Sequence, residues 1–87
     1  MNRAQLRDAL LRALSEVAPE VDTARLVDHK PLRRQIDLDS VDWLNFLVAV
    51  HQTLGLDIPD AQAARLDTLD KLVDWCAAQA PTSPGSA

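Results

Sequence analysis

Ser40 stands between two carboxylates in the run Leu38-Asp39-Ser40-Val41-Asp42, the stretch of the chain whose residue types best suit covalent chemistry. It opens an apolar-periodic segment, and a helix N-terminus offers free N–H groups and a partial positive charge. Both suit a phosphoester on the serine hydroxyl. Asp39 and Asp42 supply hard oxygen ligands for a divalent cation used by an enzyme that installs such an ester. The same residues also have a plainer use. Asp or Ser before a helix, with an acid three residues on, satisfies orphan N–H groups as a cap. The Asp-Ser pair alone does not separate the two.

The other reactive side chains assemble into nothing comparable. His29 and His51 share no metal-ligand spacing with each other or with Cys76. Cys76 falls on the inward side of the last helical segment, away from any helix N-terminus or basic neighbour that would make it a nucleophile. No serine–histidine–acid or paired-carboxylate arrangement emerges, so the chain reads as a non-enzyme. The basic run Lys30-Pro31-Leu32-Arg33-Arg34 reads as a solvated loop, with an acidic partner or the phosphates of coenzyme A as the alternative contacts.

The elements that must position Ser40 are helical. Leu6, Leu10, Ala13, Leu14 and Val17 recur at spacings of three and four, predicting a helix from about Arg3 to Val17. Asn2 and Gln5 form its capping box, and Pro19 stops it. A long connection follows, from Ala18 to Asp39, with room for one helical turn between Asp22 and Val27. Ile36 and Leu38 are read as loop residues pinned to the core. The second strong helix is predicted from Ser40 to Leu54, ended by Gly55 as a left-handed cap. A short helix over Ala61 to Arg65 is capped by Asp60, and a last one from Thr68 to Gln79 by Asp67, with Asp70 in the box position. The expected fold is all-α: a small four-helix bundle of three main helices and one short one, over residues 1–80. Residues 81–87 read as a disordered tail.

On a helical wheel, Trp43, Phe46, Leu47, Val50 and Leu54 share the core arc of the Ser40 helix. Asp42, Asn45, Gln52 and Thr53 share a wet arc. Val41, Leu44 and Val48 form a second apolar stripe, which one buried face does not require. Either neighbours pack both sides of the helix, or the stripe docks another protein.

Composition narrows the class. Of 87 residues, 47% are hydrophobic and 25% charged, which excludes a wholly disordered chain. The net charge of −4 argues against a nucleic-acid backbone binder and against an anionic-membrane binder. That charge is local. Gln35 to Ala64 contains no Lys or Arg, while Asp37, Asp39, Asp42, Asp57 and Asp60 lie within it. A lone cysteine and a charged N-terminal segment lead us to expect a cytoplasmic, freely soluble monomer.

At this point the sequence resembles the acyl carrier protein family. Leu38-Asp39-Ser40-Val41-Asp42 is similar to its phosphopantetheine attachment motif, in which Asp-Ser-Leu or a close variant opens the second helix. The resemblance spans about Leu6 to Ala78 and includes Gly55-Leu56-Asp57-Ile58-Pro59-Asp60 after that helix. It implies that Ser40 carries a covalent 4′-phosphopantetheine arm bearing acyl thioesters, and that Asp39 assists the transferase-bound metal. It also implies that Val41, Asp42, Leu44 and Val48 face partners: a phosphopantetheinyl transferase and acyl-loading, ketosynthase or acyltransferase enzymes. Asn45, His51, Gln52 and Thr53 stand where relatives typically carry Glu, and Trp43 is bulkier than the usual occupant. A peptidyl or aminoacyl carrier is the nearest alternative, and an unmodified helical adaptor using Val41, Leu44 and Val48 the more distant one.

Overall fold

The computed structural model describes residues 2–79; the tail expected at 81–87 lies outside them. Five α-helices follow in order: α1 (Arg3–Val17), α2 (Leu32–Gln35), α3 (Ser40–Leu54), α4 (Asp60–Ala63) and α5 (Leu69–Gln79), with a 3₁₀ turn at Thr23–Arg25. Three are long and two are single turns. The all-α bundle is as expected, with α2 an addition to it.

Local signals set the long helices. The Asn2 side chain accepts from the Gln5 N–H at 2.8 Å while Gln5 Oε1 accepts from the Asn2 N–H at 2.9 Å, a complete capping box. Gly55 ends α3 at φ 69°, a left-handed conformation that only glycine adopts without strain. Leu6, Leu10 and Leu14 of α1, Phe46 and Val50 of α3, and Leu69, Leu72, Val73 and Cys76 of α5 are all buried in one core. α1 lies against both other long helices. The Ser40 helix buries one residue that apolar periodicity overlooks: Ala49, from the middle of the expected wet arc, is buried. A methyl side chain lets a neighbouring backbone come close without a bulky residue announcing the contact.

Two expected caps are replaced. Pro59 occupies the position before α4, and its carbonyl accepts from the Gln62 and Ala63 N–H groups at 2.9 Å each. Asp60 is therefore the first helical residue, not the cap. At α5 the Lys71 N–H is taken by Thr68 Oγ1 at 3.1 Å, while Asp67 receives the Lys71 ammonium at 3.1 Å. Thr68 is buried and bridged to Pro31. That holds its hydroxyl at the helix start and leaves Asp67 to the surface ion pair.

The long connection is ordered by tertiary contacts. Asp28 receives a two-pronged bond from Arg7, Nε to Oδ2 and Nη2 to Oδ1, both 2.9 Å. This bond, with the Arg7 charge and a contribution from His29, holds the Asp28 carboxyl below its ordinary pKa against its own partial burial. The Asp28 carbonyl accepts from the Asp70 N–H at 3.0 Å, and Leu32 N–H donates to the Asp67 carbonyl at 2.8 Å. The Gln35 amide accepts from the Val27 N–H at 2.7 Å and donates to the carbonyls of Val27 and Lys30 at 2.8 and 2.9 Å. Leu32 is fully buried, worth roughly 1.5–3 kcal/mol. That burial fixes α2, a four-residue turn with no side-chain cap and no stability of its own.

Candidate functional site

The start of α3 shows which of Asp39 and Ser40 is the cap. Asp39 is extended, at φ −81° and ψ −178°, and its Oδ1 accepts from the Asp42 N–H at 2.8 Å. Its carbonyl takes the first intrahelical bond, from the Trp43 N–H at 2.9 Å. Asp39 is thus the cap. Ser40 is the first helical residue; it is exposed, and among the described residues its hydroxyl makes no hydrogen bond. A serine already bonded as a cap would lose that bond on esterification. This one has none to lose. Asp42 is half-buried in the first turn, where its charge suits the helix dipole; its carboxylate does not close the reciprocal box bond back to Asp39.

The approach to Ser40 is anchored from the other side by Leu38, which is buried, with Ile36 half-buried against the core. These are the loop residues expected to be pinned. Asp37 between them is exposed. The Arg33 Nε donates to the Leu38 carbonyl at 3.3 Å, a contact across the turn from α2 into α3 that no pattern in the sequence signals. Ser40 therefore sits between a held loop and a capped helix, with its own side chain in solvent.

The second stripe of α3 is not packed by neighbours. Val41, Leu44 and Val48 are 65%, 56% and 48% exposed, so of the two readings the packing one fails. Their row runs from the Ser40 end of the helix to a half-open hollow of about 200 Å³ lined by Leu44, Leu47, Val48, His51, Asp57, Ile58 and Asp60. Trp43 is not part of that lining. Its ring lies 5.4 Å from that of Phe46, half-buried on the core side. The acidic residues frame this face: Asp37, Asp39 and Asp42 at one end of α3, Asp57 and Asp60 at the other.

The remaining candidates are accounted for structurally. Cys76 is fully buried, and burial pushes its thiol pKa up, away from the thiolate. Among the described residues no three His, Cys, Asp or Glu side chains group as metal ligands, and no helix is long and apolar enough to cross a membrane.

Comparison with known proteins gives this geometry a context. A family model described as "Phosphopantetheine attachment site" matches residues 8–76, which takes in the whole of α3 and both segments that hold it. An acyl carrier protein of Rubrobacter xylanophilus is 24% identical over 72 residues, covering 79% of this chain and 89% of the relative. Acyl carrier proteins of Myxococcus xanthus and Micrococcus luteus are each 28% identical over 72 residues, covering 79% of this chain and 91% and 89% of theirs.

Proposed function

Because the chain belongs to the phosphopantetheine attachment family, we propose that it is an acyl carrier protein whose arm is esterified to Ser40. The observation that carries this reading is the division of labour at α3: Asp39 caps the helix, and the exposed Ser40 hydroxyl is left without a protein partner. The fit to a phosphodiester is chemical as well as spatial. The N-terminus of a 15-residue helix presents its partial positive charge there.

When attached, the arm supplies a terminal thiol on which acyl groups ride as thioesters. The chain's own residues hold and present it. Leu38 and Asp39 fix the backbone on which Ser40 stands, and the second Asp39 carboxylate oxygen remains available to the metal of a phosphopantetheinyl transferase. Val41, Leu44 and Val48, with Asp42 beside them, form the surface for that transferase and for acyl-loading, ketosynthase or acyltransferase partners. Asn45, His51, Gln52 and Thr53 make the middle of α3 poor in carboxylates. Partner choice then rests on apolar contact along the stripe and on the aspartates at its ends. A fatty-acid, polyketide or specialised lipid pathway fits this role.

Incubation with coenzyme A and a phosphopantetheinyl transferase should add the mass of one phosphopantetheine, and Ser40→Ala should abolish the gain. No gain with any of several transferases would overturn the proposal.

A further inference from the structure

A phosphodiester on Ser40 would join Asp37, Asp39 and Asp42 within six residues. Like charges this near one another in the chain repel, and salt screens that repulsion over roughly 8 Å at physiological strength. The helix terminus offsets part of this, but its cap position is already filled by a carboxylate. The site calls for a cation, and the fold brings one there. The chain leaves α2 at Ile36, whose N–H bonds back to the Leu32 carbonyl at 3.0 Å, and tightens again where the Leu38 N–H meets the Ile36 carbonyl at 3.0 Å. This turn returns the Leu38 carbonyl to Arg33, whose Nε donates to it at 3.3 Å.

That bond uses one of the five guanidinium N–H groups and leaves four on Nη1 and Nη2. Arg33 is exposed and takes part in none of the ion pairs among the described residues, which are Arg3–Asp74, Arg7–Asp28 and Lys71–Asp67. Leu38 and Ser40 are two peptide units apart, so their Cα atoms lie within about 7.6 Å. A planar fork held by Nε to the backbone on one side has its remaining donors available for a phosphate oxygen.

We propose that Arg33 is a positioning residue for the prosthetic arm, its guanidinium pairing with the phosphodiester on Ser40. This rests on Ser40 being the attachment residue. Arg34, adjacent in sequence and without a bond to the Leu38 carbonyl, is the internal control.

The test compares apo and loaded protein for the wild type, Arg33→Gln and Arg34→Gln, each first weighed by intact mass. Denaturant titration gives the folding equilibrium constant of each form. Arg33→Gln should lower that constant about two- to fivefold more in the loaded protein than in the apo protein, as expected for an exposed ion pair. The excess should shrink in high salt. Arg34→Gln should affect both forms equally. A second measurement needs no variant: the Arg33 side-chain N–H resonances of the wild type should shift on loading. Equal losses in apo and loaded Arg33→Gln, or Arg33 resonances that stay in place, would overturn the proposal and leave Ser40 attachment standing. Absence of any mass gain in the wild type would overturn both.

Discussion

Replacing Asp39 and Ser40 one at a time separates the helix cap from the attachment point, and the structure gives the two substitutions opposite signatures. Asp39→Ala removes the acceptor of the Asp42 N–H, bonded at 2.8 Å. Loss of a cap of this kind costs about 0.5–2 kcal/mol. The lost carboxylate also withdraws a charge from the helix terminus, worth about 0.3–1 kcal/mol. Together these predict about 1–3 kcal/mol, and for a domain of this size each kcal/mol lowers Tm by about 4–8 °C. Asp39→Asn keeps a capping oxygen and should lose only the charge contribution. Ser40→Ala removes a hydroxyl that holds nothing and should stay within about 0.5 kcal/mol of the wild type. Thermal unfolding of the three apo variants, followed by far-UV circular dichroism, reads these values. The same samples incubated with coenzyme A and transferase should separate differently. Ser40→Ala gains no mass, and Asp39→Asn, although folded, gains it slowly. If Ser40→Ala destabilised the apo protein as much as Asp39→Ala, the serine would be a working cap and the assignment of roles at α3 would fall.

Leu44→Gln and Val48→Gln should stay within about 0.5 kcal/mol of wild-type stability, because both side chains are about half in solvent. Each should lower kcat/KM for acyl transfer from a partner enzyme by about tenfold, the effect of losing an interface contact worth about 1.4 kcal/mol; an unchanged value for both would remove the stripe from the docking surface. A double-mutant cycle on Arg7→Ala and Asp28→Asn should give a coupling of about 1 kcal/mol at neutral pH. Since the folded-state pKa of Asp28 is lowered, its contribution is complete above the unfolded value of about 4 and is lost as the pH falls through the folded one. The stability profiles of wild type and Asp28→Asn should therefore converge in acid. In loaded native protein a thiol reagent should titrate one fast thiol, that of the arm, with Cys76 at least about a thousandfold slower because it reacts only after unfolding.

What the sequence made legible was local. Asn2 with Gln5, Asp39 before an apolar period, and Gly55 after it are signals a helix carries within a few residues, and both α1 and α3 have the predicted bounds. The Asp-Ser motif was readable for the same reason. Where two neighbours offered equivalent chemistry, position in the fold decided. Thr68 displaced Asp67 as cap because a bridge to Pro31 holds it, and Asp39 prevailed over Ser40. Features made by distant residues left no trace. α2 exists because Leu32 is buried and its N–H reaches Asp67, and Arg7 meets Asp28 across a span that carries no motif. The wheel found the stripe of Val41, Leu44 and Val48 but not whether anything lay over it, since that depends on where the other helices pack.

The seam joining the loop before Ser40 to the start of α5 has a consequence for synthesis. Its fasteners are Asp28 to Asp70, Leu32 to Asp67 and Pro31 to Thr68, so the ribosome must have made most of the chain before any of them can form. A polypeptide ending before Asp67 keeps the partners of the Asp39 cap but lacks the bonds that hold the connection at Asp28, Pro31 and Leu32. The connection that leads into α3 is therefore among the last parts of the fold to be fastened.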